Sequence, residues 1–97
     1  MNNILYNNNK YKLSYDNDKM FILINDNKYE LSSHPYGLCT YIKVFDETII
    51  LDGFNLYVIA KRIEKNDETF SPLDFCKLIE YEILKYKVKT KTTDYKN

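Results

Sequence analysis

The sequence has few of the residues on which the commonest cofactor and metal sites depend. It contains two Gly, two Pro, two Cys, one His and no Trp. A phosphate-binding loop needs several glycines before a helix, and a structural zinc site needs four Cys or His ligands at close spacing. We therefore predict neither a metal ion nor a cofactor.

The chain also has no apolar run near the ~18 residues that a membrane-spanning helix requires. Its first residues do not have the composition of a signal peptide. We therefore expect a cytoplasmic protein with reduced thiols and no membrane partner. Asn, Lys, Ile and Tyr have AT-rich codons, and their abundance indicates a low-GC bacterial genome or one of its phages.

The formal net charge is zero, so direct binding to nucleic acid is not expected from an overall field. The charge is unevenly placed along the chain. Residues 46–84 carry four basic and nine acidic residues, whereas residues 85–97 carry five Lys and one Asp. The sequence therefore predicts a mildly acidic body, within a single domain over residues 1–88, and a basic solvated tail over residues 89–97.

The first half of the chain alternates with a period of two, which is typical of strands. Tyr11 to Ser32 predicts three strands, and we place a two-residue turn at Asp26-Asn27. Met20 to Asn25 is apolar on both faces, with Phe21 and Leu23 on one and Met20, Ile22 and Ile24 on the other. Two further strands follow within Leu38 to Leu51, and residues 3–6 are left open as an edge strand.

The second half has a helical period. Leu56, Ile59, Ala60 and Ile63 share one face of a helix that Asp52 or Asn55 caps and that ends at Lys65-Asn66. Ser71, Pro72 and Asp74 form an N-terminal capping signal, and Phe70 and Phe75 occupy the positions of a hydrophobic staple. This second helix is predicted from Pro72 to about Lys87. The fold class is therefore α+β: an antiparallel sheet of about five short strands, followed by two C-terminal helices packed on one of its faces.

Catalytic chemistry has one weak signal. His34 and Cys39 lie five residues apart, and a contact between them would activate the thiol. Glu80 and Glu82 do not form a catalytic dyad, because residues i and i+2 of a helix do not face each other. An uncharacterised enzyme that uses this Cys/His pair is therefore retained only as an alternative.

Binding chemistry has a stronger signal. The chain has 10 Tyr, a residue type enriched at interfaces, and its acidic stretch is suited to a basic partner. The candidate binding residues are His34, Tyr36, Tyr41, Asp52, Glu64, Asp67, Glu68, Glu80 and Glu82.

The segment His34-Pro35-Tyr36, with Cys39 three residues further on, resembles a motif of a short uncharacterised family from clostridial bacteria and their phages and mobile elements. The helical segment from Phe75-Cys76 to Glu80-Tyr81 is similar to that family's closing helix. The resemblance covers about Lys28 to Tyr81 and departs at Asp52-Gly53-Phe54, where the family has His and Asn. It implies a fold of strands followed by a helix and implies no activity.

The leading hypothesis is a non-enzymatic protein-binding module, encoded by a phage or mobile element, that inhibits a host defence protein in the manner of small anti-CRISPR proteins. The alternative is a small-molecule sponge that sequesters a nucleotide signal, with Lys43 or Arg62 near a phosphate. A sponge would require a homodimer or higher oligomer, since one small domain has little room for a deep pocket.

Overall fold

The computed structural model describes residues 3–16, 19–33, 39–44, 46–52 and 55–95. Six strands precede two helices along the chain. The elements are β1 (Asn3–Asn7), β2 (Tyr11–Asp16), β3 (Lys19–Ile24), β4 (Asn27–Ser33), β5 (Cys39–Val44), β6 (Glu47–Asp52), α1 (Leu56–Glu64) and α2 (Pro72–Tyr95).

The strands form one antiparallel sheet in the order β1-β2-β3-β4-β5-β6, so every strand pairs with its neighbour in the chain. The α+β prediction is confirmed, with six strands in place of about five. The additional strand is β1, an edge strand that pairs with β2. The register of this pair shifts between Ile4 and Tyr6.

The turn between β3 and β4 lies one residue earlier than predicted. Ile24 pairs with Asn27, so the two turn residues are Asn25 and Asp26, with φ of 49° and 70°. Two consecutive positive φ angles are the requirement of a type I′ turn. Asn and Asp adopt this left-handed conformation more readily than other non-Gly residues, which explains why this pair forms the turn.

Alternate residues of each strand point to the same side, and one side of the sheet forms part of the core. Leu13, Met20, Ile22, Leu31 and Ile42 are fully buried there. Their cross-strand register brings them side by side, since Leu13 pairs with Ile22, Met20 with Leu31 and Leu31 with Ile42. This buried face is the surface on which the helices pack.

Helix α1 begins and ends as its sequence predicts. The side chain of Asn55 accepts a hydrogen bond from Val58 N at 3.2 Å, which satisfies a free N–H of the first turn. Asn66 follows the last turn with φ 55°. Ser33 Oγ accepts a hydrogen bond from Leu56 N at 3.0 Å and joins the end of β4 to the start of α1.

Helix α2 begins with the predicted cap and staple. Ser71 Oγ accepts a hydrogen bond from Asp74 N at 3.1 Å, and the rings of Phe70 and Phe75 lie 6.1 Å apart. Ile79 and Ile83 bury the same helix face one and two turns further on. The helix continues past Lys87 to Tyr95, because the alternating Lys and Thr residues include no Gly or Pro to end it.

Within these described ranges, neither helix combines the length and apolar character needed to cross a membrane.

Candidate functional site

The structure does not gather the candidate binding residues at one place. His34 and Tyr36 lie outside the described residues. Tyr41 is in β5 and alternates with the buried Thr40 and Ile42, so it faces away from the helices. Asp52 ends β6. The five remaining residues lie on or between the two helices: Glu64, Asp67, Glu68, Glu80 and Glu82.

Glu80 is committed to contacts with its own sheet. Tyr11 Oη donates a hydrogen bond of 2.6 Å to Glu80 Oε1, and Lys10 Nζ lies 3.0 Å from Oε2. The side chain of Glu80 is only 17% exposed, and Tyr11 is 4% exposed. Both carboxylate oxygens are thus used to attach α2 to β2, and Glu80 has little capacity left for an external partner.

The electrostatics of this contact follow from its geometry. The hydrogen bond from Tyr11 lowers the pKa of Glu80, and the contact with Lys10 lowers it further. Burial raises the pKa of Tyr11, as does its hydrogen bond to Glu80. The hydrogen bond with Glu80 raises the pKa of Lys10. At neutral pH these groups are a carboxylate, a phenol and an ammonium group.

Asp67 is likewise committed to the turn between the helices. Arg62 Nε donates to Asp67 Oδ2 at 2.9 Å, and the backbone N–H of Thr69 donates to Oδ1 at 2.9 Å. Arg62 also donates to Thr69 Oγ1 at 2.8 Å and lies over the Phe70 ring, 5.2 Å from its centroid. Arg62, proposed as a phosphate partner in the sponge hypothesis, is therefore engaged within its own loop.

We expect the Asp67 carboxyl to titrate at about pH 2, since hydrogen bonds from Thr69 and then Arg62 lower its pKa from 3.8 to about 2. A depressed pKa stabilises the fold above pH 3.8, and this contribution is lost as the pH falls towards 2. NMR titration of the carboxyl carbon measures the value directly. Thr69→Val should move it towards 3.8, and an unchanged value in that variant would contradict the assignment.

Glu64 and Glu82 have weaker partners on their own helices. Lys61 Nζ lies 3.4 Å from Glu64 Oε2, and Lys85 Nζ lies 3.3 Å from Glu82 Oε2. Such i,i+3 pairs at a surface contribute ~0–1 kcal/mol. Glu64 is 39% exposed and can exchange its partner for another at little cost, whereas the side chain of Glu82 is 18% exposed. Glu68 is exposed in the turn.

The face of the sheet opposite the core has apolar side chains of its own. We call this the uncovered face and define it by Ile4, Phe21, Leu23, Tyr41 and Ile50. Ile4 and Ile50 are 57% and 60% exposed, and the other three are half-buried. The buried apolar residues of both helices lie in the core on the other side, so no described helix lies against this face.

Lysines lie on the same face as these apolar side chains. Lys12, Lys19, Lys28 and Lys43 alternate with core residues and therefore project on the same side of the sheet. Among the side chains that the structure describes, the carboxylates in the matching positions are those of Asp16 and Glu30, and Asp52 occupies a matching register position in β6. In the cross-strand register, the polar positions of β4 lie between Phe21 with Leu23 on one side and Tyr41 with Ile50 on the other. The described part of the uncovered face therefore carries two apolar groups, with an excess of positive charge.

Sequence reasoning placed the binding surface mainly on acidic residues; it included Tyr41 of the uncovered face but not Phe21, Leu23 and Ile50. One signal was present, because Met20 to Asn25 is apolar on both faces. A strand of an antiparallel sheet with one wet face normally alternates apolar and polar residues. A strand that is apolar on both faces is therefore a local indication that its second face contacts something.

The thiols lie in different environments. Cys39 is half-buried at the start of β5, and Cys76 is fully buried in α2. Burial raises the pKa of Cys76 to about 12, which keeps it a protonated and unreactive thiol at neutral pH. Among the residues that the structure describes, no group of three His, Cys, Asp or Glu residues could hold a metal ion. The contact between Cys39 and His34 that the alternative enzyme hypothesis requires involves a residue outside the described ranges.

Comparisons with family models, with curated proteins and with solved structures find no match to this chain.

Proposed function

We propose that this protein is a non-enzymatic binding module that docks on another protein through the uncovered face of its sheet. The observation that carries the proposal is the apolar pair of Tyr41 and Ile50 on that face, which are neighbours across β5 and β6. Contiguous apolar surface open to water marks interaction sites, whereas single exposed apolar residues do not.

The chemistry of the face indicates the kind of partner. Aromatic side chains at the centre of a patch are typical of the residues that carry most binding energy. The lysines around them favour a partner whose apolar surface is flanked by carboxylates. Glu64, Glu68 and Glu82 belong to the helical side of the molecule and would contact a different region of a large partner.

The particular role that we propose is inhibition of a host defence protein by a phage or mobile-element product. It is supported by the small size of the chain, its Tyr-rich composition and its abundance of residues with AT-rich codons. The docking proposal does not depend on this role.

The test is affinity capture of the tagged protein from a low-GC bacterial lysate, read by mass spectrometry, for wild type and two variants. Ile50→Ser removes the most exposed apolar side chain of the uncovered face. Leu84→Ser removes one of similar size and exposure from α2. We expect Ile50→Ser to weaken capture of a specific partner by about 30-fold, which corresponds to ~2 kcal/mol for a residue that carries much of the binding energy, and Leu84→Ser to leave it unchanged.

A partner that Ile50→Ser still binds with full affinity would contradict docking on this face. Native mass spectrometry of the purified protein tests whether a second copy of the chain binds this face instead. If the wild type is a dimer and Ile50→Ser is a monomer, the face is occupied by a second copy of the chain, and the proposal of a different protein partner is wrong.

A further inference from the structure

Helix α2 has apolar side chains on two opposite sides. One side lies in the core and consists of Phe75, Cys76, Ile79 and Ile83. On the other side, Leu78, Tyr81 and Leu84 are exposed. Tyr81 follows the buried Ile79 by two residues, which is about 200° around the helix axis. We call Leu78, Tyr81 and Leu84 the outer stripe of α2.

The spacing of the outer stripe is that of a helix that packs along another helix. Residues three apart on a helix are neighbours, so Leu78, Tyr81 and Leu84 form one continuous strip. Val88 lies four residues beyond Leu84 in the same helix, and alternating steps of three and four residues are the pattern of paired helices. A surface helix of a single domain normally has one apolar side. The second apolar side of α2 therefore indicates a contact outside the domain.

The order of charges along α2 indicates that this contact is with a second copy of the chain. If an antiparallel copy of α2 places its Leu84 opposite Tyr81, the two-fold axis also places its Tyr81 opposite Leu84. The exposed Asp74 lies seven residues before Tyr81, and Lys91 lies seven residues after Leu84. Seven residues are about two helical turns, so Asp74 of each copy then lies opposite Lys91 of the other. A parallel copy would instead place the same charges opposite each other. The helix is therefore complementary to itself in the antiparallel direction.

We propose that the outer stripe of α2 is the interface of a homodimer in which two copies of α2 pack antiparallel. Lys85, beside the stripe, pairs with Glu82 of its own helix at 3.3 Å. The exposed Lys77 extends its methylene chain along the interface and keeps its ammonium group in water. One pair of helices is smaller than a standard interface, so the dimer should be weak, with a dissociation constant in the micromolar range or above. The uncovered face stays open in this dimer, because α2 packs on the other face of the sheet.

The experiment measures the dissociation constant of the full-length chain by sedimentation equilibrium, from micromolar to millimolar concentration, for wild type and two variants. Tyr81→Ala removes the central side chain of the outer stripe. Tyr57→Ala in α1 is the matched control, because Tyr57 is 57% and Tyr81 is 59% exposed, and a lysine lies 5.4 Å from the centroid of each ring. We expect Tyr81→Ala to raise the dissociation constant at least tenfold, since the two-fold axis removes the contact twice, and Tyr57→Ala to leave it unchanged. A monomer at all concentrations, or equal effects of the two variants, would overturn the proposal.

An exchange of charges tests the antiparallel alignment. Asp74→Lys and Lys91→Asp each place like charges opposite each other at both ends of the interface, and each should weaken the dimer severalfold. The double variant restores opposite charges and should recover the dissociation constant of the wild type. A double variant that dimerises no better than the single variants would refute the alignment.

Ile50→Ser separates this dimer from docking on the uncovered face. It should dimerise as the wild type does, and a monomeric Ile50→Ser beside a dimeric wild type would overturn the α2 interface. A wild type that stays monomeric leaves docking on the uncovered face untouched, because partner capture does not require a dimer.

Discussion

Ile22→Ala should lower the free energy of unfolding by about 2–5 kcal/mol, the usual range when a buried Ile is truncated. Ile22 is fully buried at the centre of the sheet, between Leu13 of β2 and Tyr29 of β4 in the cross-strand register. Its removal leaves a cavity that a six-stranded sheet held by ladders on both sides of β3 cannot close. Urea denaturation followed by circular dichroism measures the change.

The next residue in the chain is the matched control. Leu23 projects from the same strand on the uncovered face and is half-buried. Leu23→Ala should therefore cost about 1 kcal/mol or less, in proportion to the smaller area withdrawn from water. Equal costs for Ile22→Ala and Leu23→Ala would mean that both faces are covered in solution, which contradicts an accessible uncovered face.

Glu80→Lys should lower the free energy of unfolding by about 1.5–3 kcal/mol, the range for hydrogen bonds to charged groups. The variant removes the acceptor of the buried Tyr11 hydroxyl and places an ammonium group beside Lys10. The sequence-based hypothesis counts Glu80 and Glu82 among the residues that bind a partner. The structure gives Glu80 a different function, which is to join α2 to β2.

Two further variants serve as comparisons for Glu80→Lys. Glu82→Lys reverses the charge two residues further on, at a side chain that is 18% exposed, and should cost less than Glu80→Lys, because the partner that Glu82 loses is the exposed Lys85 and not a buried hydroxyl. Glu80→Gln retains an acceptor for Tyr11 and should fall between the two. If the stabilities of the Glu80→Lys and Glu82→Lys variants are indistinguishable, the hydrogen bond does not hold the helix.

The pH dependence of the same contact has two limits. The pKa of Glu80 is lowered, so its contribution is present above the ordinary pKa of 4.5 and is lost as the pH falls below that value. The pKa of Tyr11 is raised, so its contribution is present below 10.0 and is lost as the pH rises above it. Stability measured against pH should therefore decline at both limits, and less steeply at the acidic limit in Glu80→Gln.

The sequence was most informative where structure depends on near neighbours. The caps at Asn55 and Ser71 and the staple of Phe70 with Phe75 were predictable, because each links residues within about one helical turn. The turn at Asn25-Asp26 was misplaced by one residue, because Asn25, Asp26 and Asn27 all tolerate the turn conformation and the register of the strands decides among them.

The candidate site was less predictable because its determinants are distant in the chain. Glu80 looks like a solvated helix residue until the fold brings Tyr11 to it, 69 positions away. Composition also ranked the acidic stretch above the lysines, whereas the fold disperses the carboxylates and collects several lysines on one face.

The two tyrosine hydroxyls that contact α2 set its position along the sheet. Tyr11 meets Glu80 and Tyr29 meets Lys87, and seven residues of helix rise about 10.5 Å. Tyr29 lies two strands and two residues away from Tyr11 in the cross-strand register, which is about 12 Å. The spacing of Glu80 and Lys87 along the helix is thus close to the spacing of the two tyrosines on the sheet. A shift of the helix sequence by one residue would rotate each contact by about 100° around the helix axis. The two tyrosine contacts together therefore favour one position of α2 along the sheet over its neighbours.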